Sequence, residues 1–331
     1  MHLLLAEWSR LLHRRFTWVM VTLLGAGLVA IAIGFVLTSS PPTDFQRDEA
    51  ARLAAAAQVR YDNDRAMCLD IERGVVRAPL GKPPYPKNCD FGPRPVTDDF
   101  MHYGFVLSGE IESLFLLAGT LLCLFGFLIG ASFVGAEWTS GGLTNLLLWR
   151  PNRVAVLGAK LTAMLSGLLA ASIGYLIAWV GAFWLVAKVR GTVGTFTTGD
   201  VISLSLTGVR VLVLVLAVSA VGFALASLGR HTAMALGVFI GYLLVYELGT
   251  LIITAIMGTD WPWQLRLSSY VGPWLIKEME LGPGDYRCDP TGCFAVSQSV
   301  VTWVDAGMVY GVVLIALVGA AFVTIRRRDV A

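Results

Sequence analysis

Two charged residues stand inside stretches that are otherwise apolar: Glu247, within the run from Ala233 to Met257, and Arg210, within the run from Val201 to Leu228. An ionisable side chain in such a run is a candidate functional group, because hydrocarbon penalises its charge and it must find a partner or a ligand. Counted at about 1.5 Å per residue from the Arg230-His231 turn that joins the two runs, they fall within a turn or two of each other in depth. Two readings follow. Glu247 faces an internal cleft and meets a cationic substrate, or the two residues form a structural ion pair near the outer surface, with Arg210 snorkelling toward water.

Cysteine is the next residue type able to do chemistry. Cys68 and Cys89 lie in one polar segment, Cys288 and Cys293 in another, and Cys123 sits alone in an apolar run. Nearness in sequence favours the disulfides Cys68-Cys89 and Cys288-Cys293, the second closed by the turn sequence Asp289-Pro290-Thr291-Gly292. Zinc spacing is lacking and no histidine accompanies these cysteines, so a metal is not expected. His2, His13, His102 and His231 are scattered, with no His-Glu-x-x-His and no Gly-x-x-x-x-Gly-Lys-Ser/Thr loop. The chain is therefore read as no enzyme, with no cofactor and no nucleotide site of its own.

The elements around these residues are those of a membrane protein. Of 331 residues, 56% are hydrophobic and only 15% charged, with a mean hydropathy of +0.69, against about 25% charged residues in a soluble domain. A net charge of +2 gives no electrostatic support to a nucleic-acid role. Residues 1–17 begin with MHLLLAEWSRLLHRR, which puts Leu4, Leu5, Trp8, Leu11 and Leu12 on one side of a helix and Glu7, Arg10, Arg14 and Arg15 on the other, the pattern of a helix lying in the headgroup region. Spans are expected over 18–38, 111–136, 157–187, 201–229, 232–257 and 303–325, since about 20 apolar residues cross a bilayer.

Between the first two spans, residues 39–110 are rich in charge and proline. They read as an extracytoplasmic domain with a helix that starts at the capping box Thr43-Asp44-Phe45-Gln46 and ends at Gly74. A second extracytoplasmic segment, 258–302, carries Trp261, Trp263, Tyr270 and Trp274 as an aromatic belt with Trp303, and the tail 326–331 begins with three arginines. Arg10, Arg14, Arg15, Arg150, Arg153, Lys160, Arg230 and Arg326 to Arg328 all fall on one side of this topology, which places both termini in the cytoplasm of a plasma-membrane protein. The fold class expected is thus an all-α polytopic membrane protein: six transmembrane helices, an interfacial amino-terminal helix and a disulfide-bearing external domain. Gly126 to Gly130, Gly237 to Gly241 and Gly307 to Gly311 are close-packing pairs for helix contacts within the chain or with a second copy.

One segment organises the rest. Residues 137–156 open as EWTSGGLTNLLLWRPNR, a polar stretch with a turn between two spans. Glu137 and Trp138 close the preceding run, Ser140, Gly141 and Gly142 supply a turn, and Leu143, Leu146 and Leu147 recur at helical spacing before Arg150, Pro151 and Arg153. Such a short helix in the inner interface is a handle on the bundle. The run Glu137, Gly141, Gly142, Leu143, the leucines through 148, Pro151, Arg153 and Lys160 resembles the first cytoplasmic loop of ABC transporter permeases of the type-2 (exporter) family, with Gly142 where that family often has threonine. The resemblance implies a permease driven by a separate cytoplasmic ATPase that docks on Glu137, Trp138, Gly141, Gly142, Leu143, Leu147, Arg150 and Arg153. It also implies a homodimer around a shared pathway and export of an amphipathic small molecule, lipid or peptide. Two rival readings stay open from the residues alone: an ATP-independent transporter or channel, and a membrane-anchored sensor acting through its external domain.

Overall fold

Without water in the hydrocarbon, a spanning backbone has to satisfy its own N–H and C=O groups, and a helix does so within one segment. The computed structural model describes residues 2–76, 86–101, 103–149, 152–257, 266–281, 286–289, 292–295 and 299–327 and is mostly helical. Among the described residues six helices are long and apolar enough to cross a membrane: α2 (Arg15–Thr38), α4 (Leu107–Thr139), α6 (Arg153–Arg190), α7 (Thr198–Gly229), the composite Thr232–Ile253, and α11 (Trp303–Arg327). The composite comprises α8 (Thr232–Gly241) and a π-helical turn (Tyr242–Leu248) and runs into α9 (Gly249–Met257). Before the first of these lies α1 (His2–His13), and between α4 and α6 lies α5 (Gly142–Trp149). The third span outruns the expected 157–187 at both ends. A helical ladder extends until a residue interrupts it, and here the side-chain oxygen of Asn152 accepts from the Ala155 N–H at 3.1 Å, just outside the first turn.

The chain divides into two compact units. The larger comprises residues 1–31, 108–183 and 195–331. Its centre is α4 and α7, with 56% and 61% of their most apolar windows buried, against 6% for α2 and for the composite span. Gly126 and Gly130 of α4 lie against Ser219 of α7, and a methyl group at Gly130 would run into the Ser219 carbonyl, so this glycine pair serves contacts within the chain. Gly237 and Gly241 of α8 have nothing within 4 Å of where a Cβ would stand. The turn between α7 and α8 is closed by Arg230 in the left-handed region (φ +55°) and by His231, whose Nδ1 accepts from the Ala233 N–H at 3.0 Å.

After α9 the same unit holds a short helix, α10 (Val271–Ile276), and four strands in two antiparallel pairs: β1 (Glu278–Leu281) with β4 (Ser299–Thr302), and β2 (Tyr286–Asp289) with β3 (Gly292–Ala295). These strands depart from the all-α expectation. Their residues explain why: Ser-Val-Val-Thr holds three β-branched residues, and Glu-Met-Glu-Leu alternates polar with apolar, neither of which favours a helix. The Cα atoms of Cys288 and Cys293 are register partners in the β2-β3 pair, while their side chains lie outside the described residues, as do Trp261 and Trp263.

The smaller unit comprises residues 32–107 and 184–194. Its α3 (Asp44–Glu72) starts at a capping box in which the Thr43 hydroxyl accepts from the Gln46 N–H while the Gln46 side chain accepts from the Thr43 N–H. Cys68 near the end of α3 is joined by a disulfide to Cys89. Beyond the disulfide, the chain runs back along α3: Tyr61 donates to the Gly92 carbonyl at 2.8 Å, Gln58 to the Pro95 carbonyl at 2.7 Å, and Arg94 pairs with Asp62 at 2.6 Å. The stretch before α4 and the stretch after α6 are tied by a parallel bridge between Val106 and Thr192.

Candidate functional site

Among the described residues, the densest charge cluster in the larger unit forms where α1, α4 and α6 meet. Lys160, a full two turns into α6, is completely buried. Its ammonium donates to Glu7 Oε2 of α1 at 2.7 Å and to Glu137 Oε2 of α4 at 2.6 Å. Glu7 is 2% exposed and takes a second contact from Arg10 Nη1 at 3.1 Å. A single desolvated cation thus holds two carboxylates from two other helices, the arrangement a buried charge requires. The aromatic face of Phe133 lies 5.6 Å from both the Lys160 ammonium and the Arg14 guanidinium, and Arg14 donates to the Ser132 carbonyl at 3.2 Å. Burial holds Arg14 below its ordinary pKa, with the Glu137 charge acting in the opposite direction.

The rest of α1 is pinned to α6 by neutral contacts. The Trp8 indole donates to Ser166 Oγ at 2.8 Å, and Leu11, buried, abuts Gly167. These positions correct the amphipathic reading of residues 1–17. Glu7 does not face water with Arg10 and Arg15, but turns inward, because Lys160 needs a counter-charge, and Arg14 packs on Phe133, whereas Leu5 and Leu12 are exposed at 67% and 50%.

From Glu137 the chain enters the short helix. Trp138 stacks under the Arg230 guanidinium at 5.0 Å, Gly141 takes the left-handed conformation (φ +71°) that separates α4 from α5, and Gly142 opens α5. Leu143 and Leu147 are buried on one face, whereas Leu148 and Trp149 at its end are 75% and 83% exposed. Arg153 is the first residue of α6, and Arg150 lies outside the described residues. Of the sequence-derived handle residues, Glu137 therefore joins the charge cluster, Trp138 joins the turn between α7 and α8, and the two leucines anchor the short helix. Glu7 was missed as a site residue, and Lys160 was noted only as part of a pattern. The available signal was a lone lysine in the apolar stretch from Val154 to Met164, which must find an anion.

The second pair of candidates is not brought together. Glu247 lies in the π-helical turn, whose wider pitch sets Tyr242 beside it: the Tyr242 hydroxyl donates to Glu247 Oε1 at 2.6 Å. Its other oxygen takes two donors from Arg266, Nε at 3.0 Å and Nη2 at 2.7 Å. The Tyr242 oxygen accepts from the Leu267 N–H, and Tyr310 of α11 donates to the Leu267 carbonyl. Arg210 instead lies over the Trp303 ring at 5.6 Å. The expected Glu247-Arg210 pair is thus replaced by a Glu247-Arg266 pair, because a guanidinium nineteen residues further along the same stretch of chain reaches the carboxylate with two donors that converge on Oε2. Among the described residues, no group of histidine, cysteine and carboxylate side chains could hold a metal.

The described residues thus hold six membrane-length helices, a half-buried short helix between the second and third of them, and a buried charge cluster at its root. A family model described as "ABC-2 family transporter protein" matches residues 1–330. No curated protein and no solved structure matches the chain. Members of that family are membrane components that normally work with an ATPase partner. This chain belongs to the ABC-2 transporter family, as a multi-pass transmembrane permease.

Proposed function

We propose that the protein is the permease subunit of an ATP-driven exporter in the plasma membrane, and that a cytoplasmic ATPase docks on α5. Both termini are then cytoplasmic, the Cys68-Cys89 unit is extracytoplasmic, and a second copy of the chain completes the pathway. The observation that carries this reading is the division of α5 into an anchored face, Leu143 and Leu147, and an exposed end, Leu148 and Trp149. An exposed tryptophan beside a leucine on a short rigid helix is a suitable anchor for a partner's pocket.

Force applied to α5 has a short path into the bundle. Glu137, immediately before the Gly141 turn, is tied through Lys160 to Glu7, so a displacement of α5 bears on α4, α6 and α1 together. The cargo is read as amphipathic, in keeping with the apolar composition of the spans. Gly237 and Gly241 leave an open stripe on α8 for close approach of the second copy.

The test is an affinity pull-down from native membranes with Trp149→Ala. The expected result is at least a tenfold fall in co-purified ATP hydrolysis and in the co-purified chain bearing a Gly-x-x-x-x-Gly-Lys-Ser/Thr loop, with membrane insertion unchanged. Undiminished co-purification would refute docking on α5.

A further inference from the structure

Arg210 is a half-buried cation with no anion among the described residues, at a level of the bundle remote from the Lys160 cluster. It lies on α7 about 29 Å along the axis from Gly229 at 1.5 Å per residue, and Gly229 adjoins the Arg230 that stacks on Trp138. Its Nη1 is buried and has no hydrogen-bond partner among the described residues. One face of the guanidinium is covered by the Trp303 ring, and the Trp274 indole donates to the Arg210 carbonyl at 2.9 Å. A guanidinium offers only donors, so the buried Nη1 calls for an acceptor.

Among the described residues no carboxylate meets it. Glu247 is taken by Arg266, and Asp305 accepts from the backbone N–H and hydroxyl of Thr302 at 3.0 and 2.7 Å. A second cation lies above it. Ser203 is seven residues before Arg210, two turns up the same face of α7, and its hydroxyl receives the Lys277 ammonium at 3.2 Å. Lys277 likewise forms no salt bridge among the described residues.

We infer that Arg210, with Lys277 above it and the indoles of Trp274 and Trp303 beside it, binds a phosphate-class oxyanion. The guanidinium supplies the forked donors that suit phosphate, the ammonium a mobile point charge, and the two indoles an interfacial aromatic wall. The same chemistry is offered by a lipid phosphodiester headgroup and by free phosphate. Recognition here does not involve the ATPase, so it stands or falls separately from docking on α5.

The test uses the full chain purified in a maltoside detergent. Phosphatidylglycerol, a galactolipid lacking phosphate, and inorganic phosphate are titrated separately, and thermal unfolding and bound lipid by native mass spectrometry are read. Phosphatidylglycerol should raise the unfolding temperature and remain bound, the galactolipid should do neither, and Arg210→Gln should weaken phosphatidylglycerol binding at least tenfold. Arg210→Lys should retain part of the affinity and serves if the glutamine variant does not fold. Stabilisation by inorganic phosphate that competes with the lipid would identify a free anion as the occupant of the same site. Equal effects of the two lipids with no effect of phosphate, or full phosphatidylglycerol affinity in both variants, would overturn the inference.

Discussion

Lys160 is the residue on which α1 and the end of α4 converge, and removing its charge measures what that convergence contributes. At 2.7 Å from Glu7 and 2.6 Å from Glu137, each attraction is worth about 6 kcal/mol at an effective dielectric of about 20. Burying the ammonium and the Glu7 carboxylate costs several kcal/mol for each ion, so the intact cluster is close to neutral in net stability. The imbalance appears when one member goes. Lys160→Met leaves Glu7, 2% exposed, with only the solvent-facing Arg10 for company, and breaking a buried pair in this way costs roughly 3–5 kcal/mol.

Glu7→Gln is milder, since Lys160 keeps Glu137, and about 1–3 kcal/mol is expected. The double variant removes both buried charges and should be destabilised by less than the sum of the single changes, with a coupling of about 2 kcal/mol. Unfolding of the four proteins in mixed micelles by titration with an anionic detergent, followed by tryptophan fluorescence, gives the cycle. Additivity within about 0.5 kcal/mol, or a loss under about 1 kcal/mol for Lys160→Met, would refute the argument that this lysine is a buried counter-charge for both carboxylates.

Two further outcomes follow from the packing. Gly130→Ala places a methyl group against the Ser219 carbonyl, whereas Gly237→Ala meets nothing within 4 Å. The first should lower stability by about 1–3 kcal/mol or more and the second leave the isolated chain unchanged, as read by thermal unfolding in detergent. Cys68→Ser opens a loop closed across 21 residues, and the chain-entropy relation gives a loss of about 3 kcal/mol for the α3 unit; limited proteolysis should then cut between α3 and residue 100 at least tenfold faster.

The spans were legible in the sequence because their cause is local. A stretch of some 20 apolar residues has a helix as its only inexpensive state in hydrocarbon, whatever the rest of the chain does. Thr43 with Gln46 announced the start of α3 for the same reason: a capping box is completed within four residues. The β-branched run at Ser299–Thr302 was also visible, and it was hidden only by the assumption that an apolar protein is helical throughout. The short helix α5 could be placed from its leucine spacing, but which of its residues would be covered could not.

What tertiary structure alone decided is who meets whom. Glu7 and Lys160 are separated by 153 residues, and the period of α1 sends Glu7 toward water until a buried ammonium makes the opposite side favourable. Glu247 and Arg210 matched in depth, yet depth leaves the angle around each helix free. The π-helical turn and the returning segment at Arg266 set that angle for Glu247, and Trp303 set it for Arg210. Hydropathy is a property of each residue and can be read one position at a time, whereas the partner of a charge depends on the packing of the whole bundle.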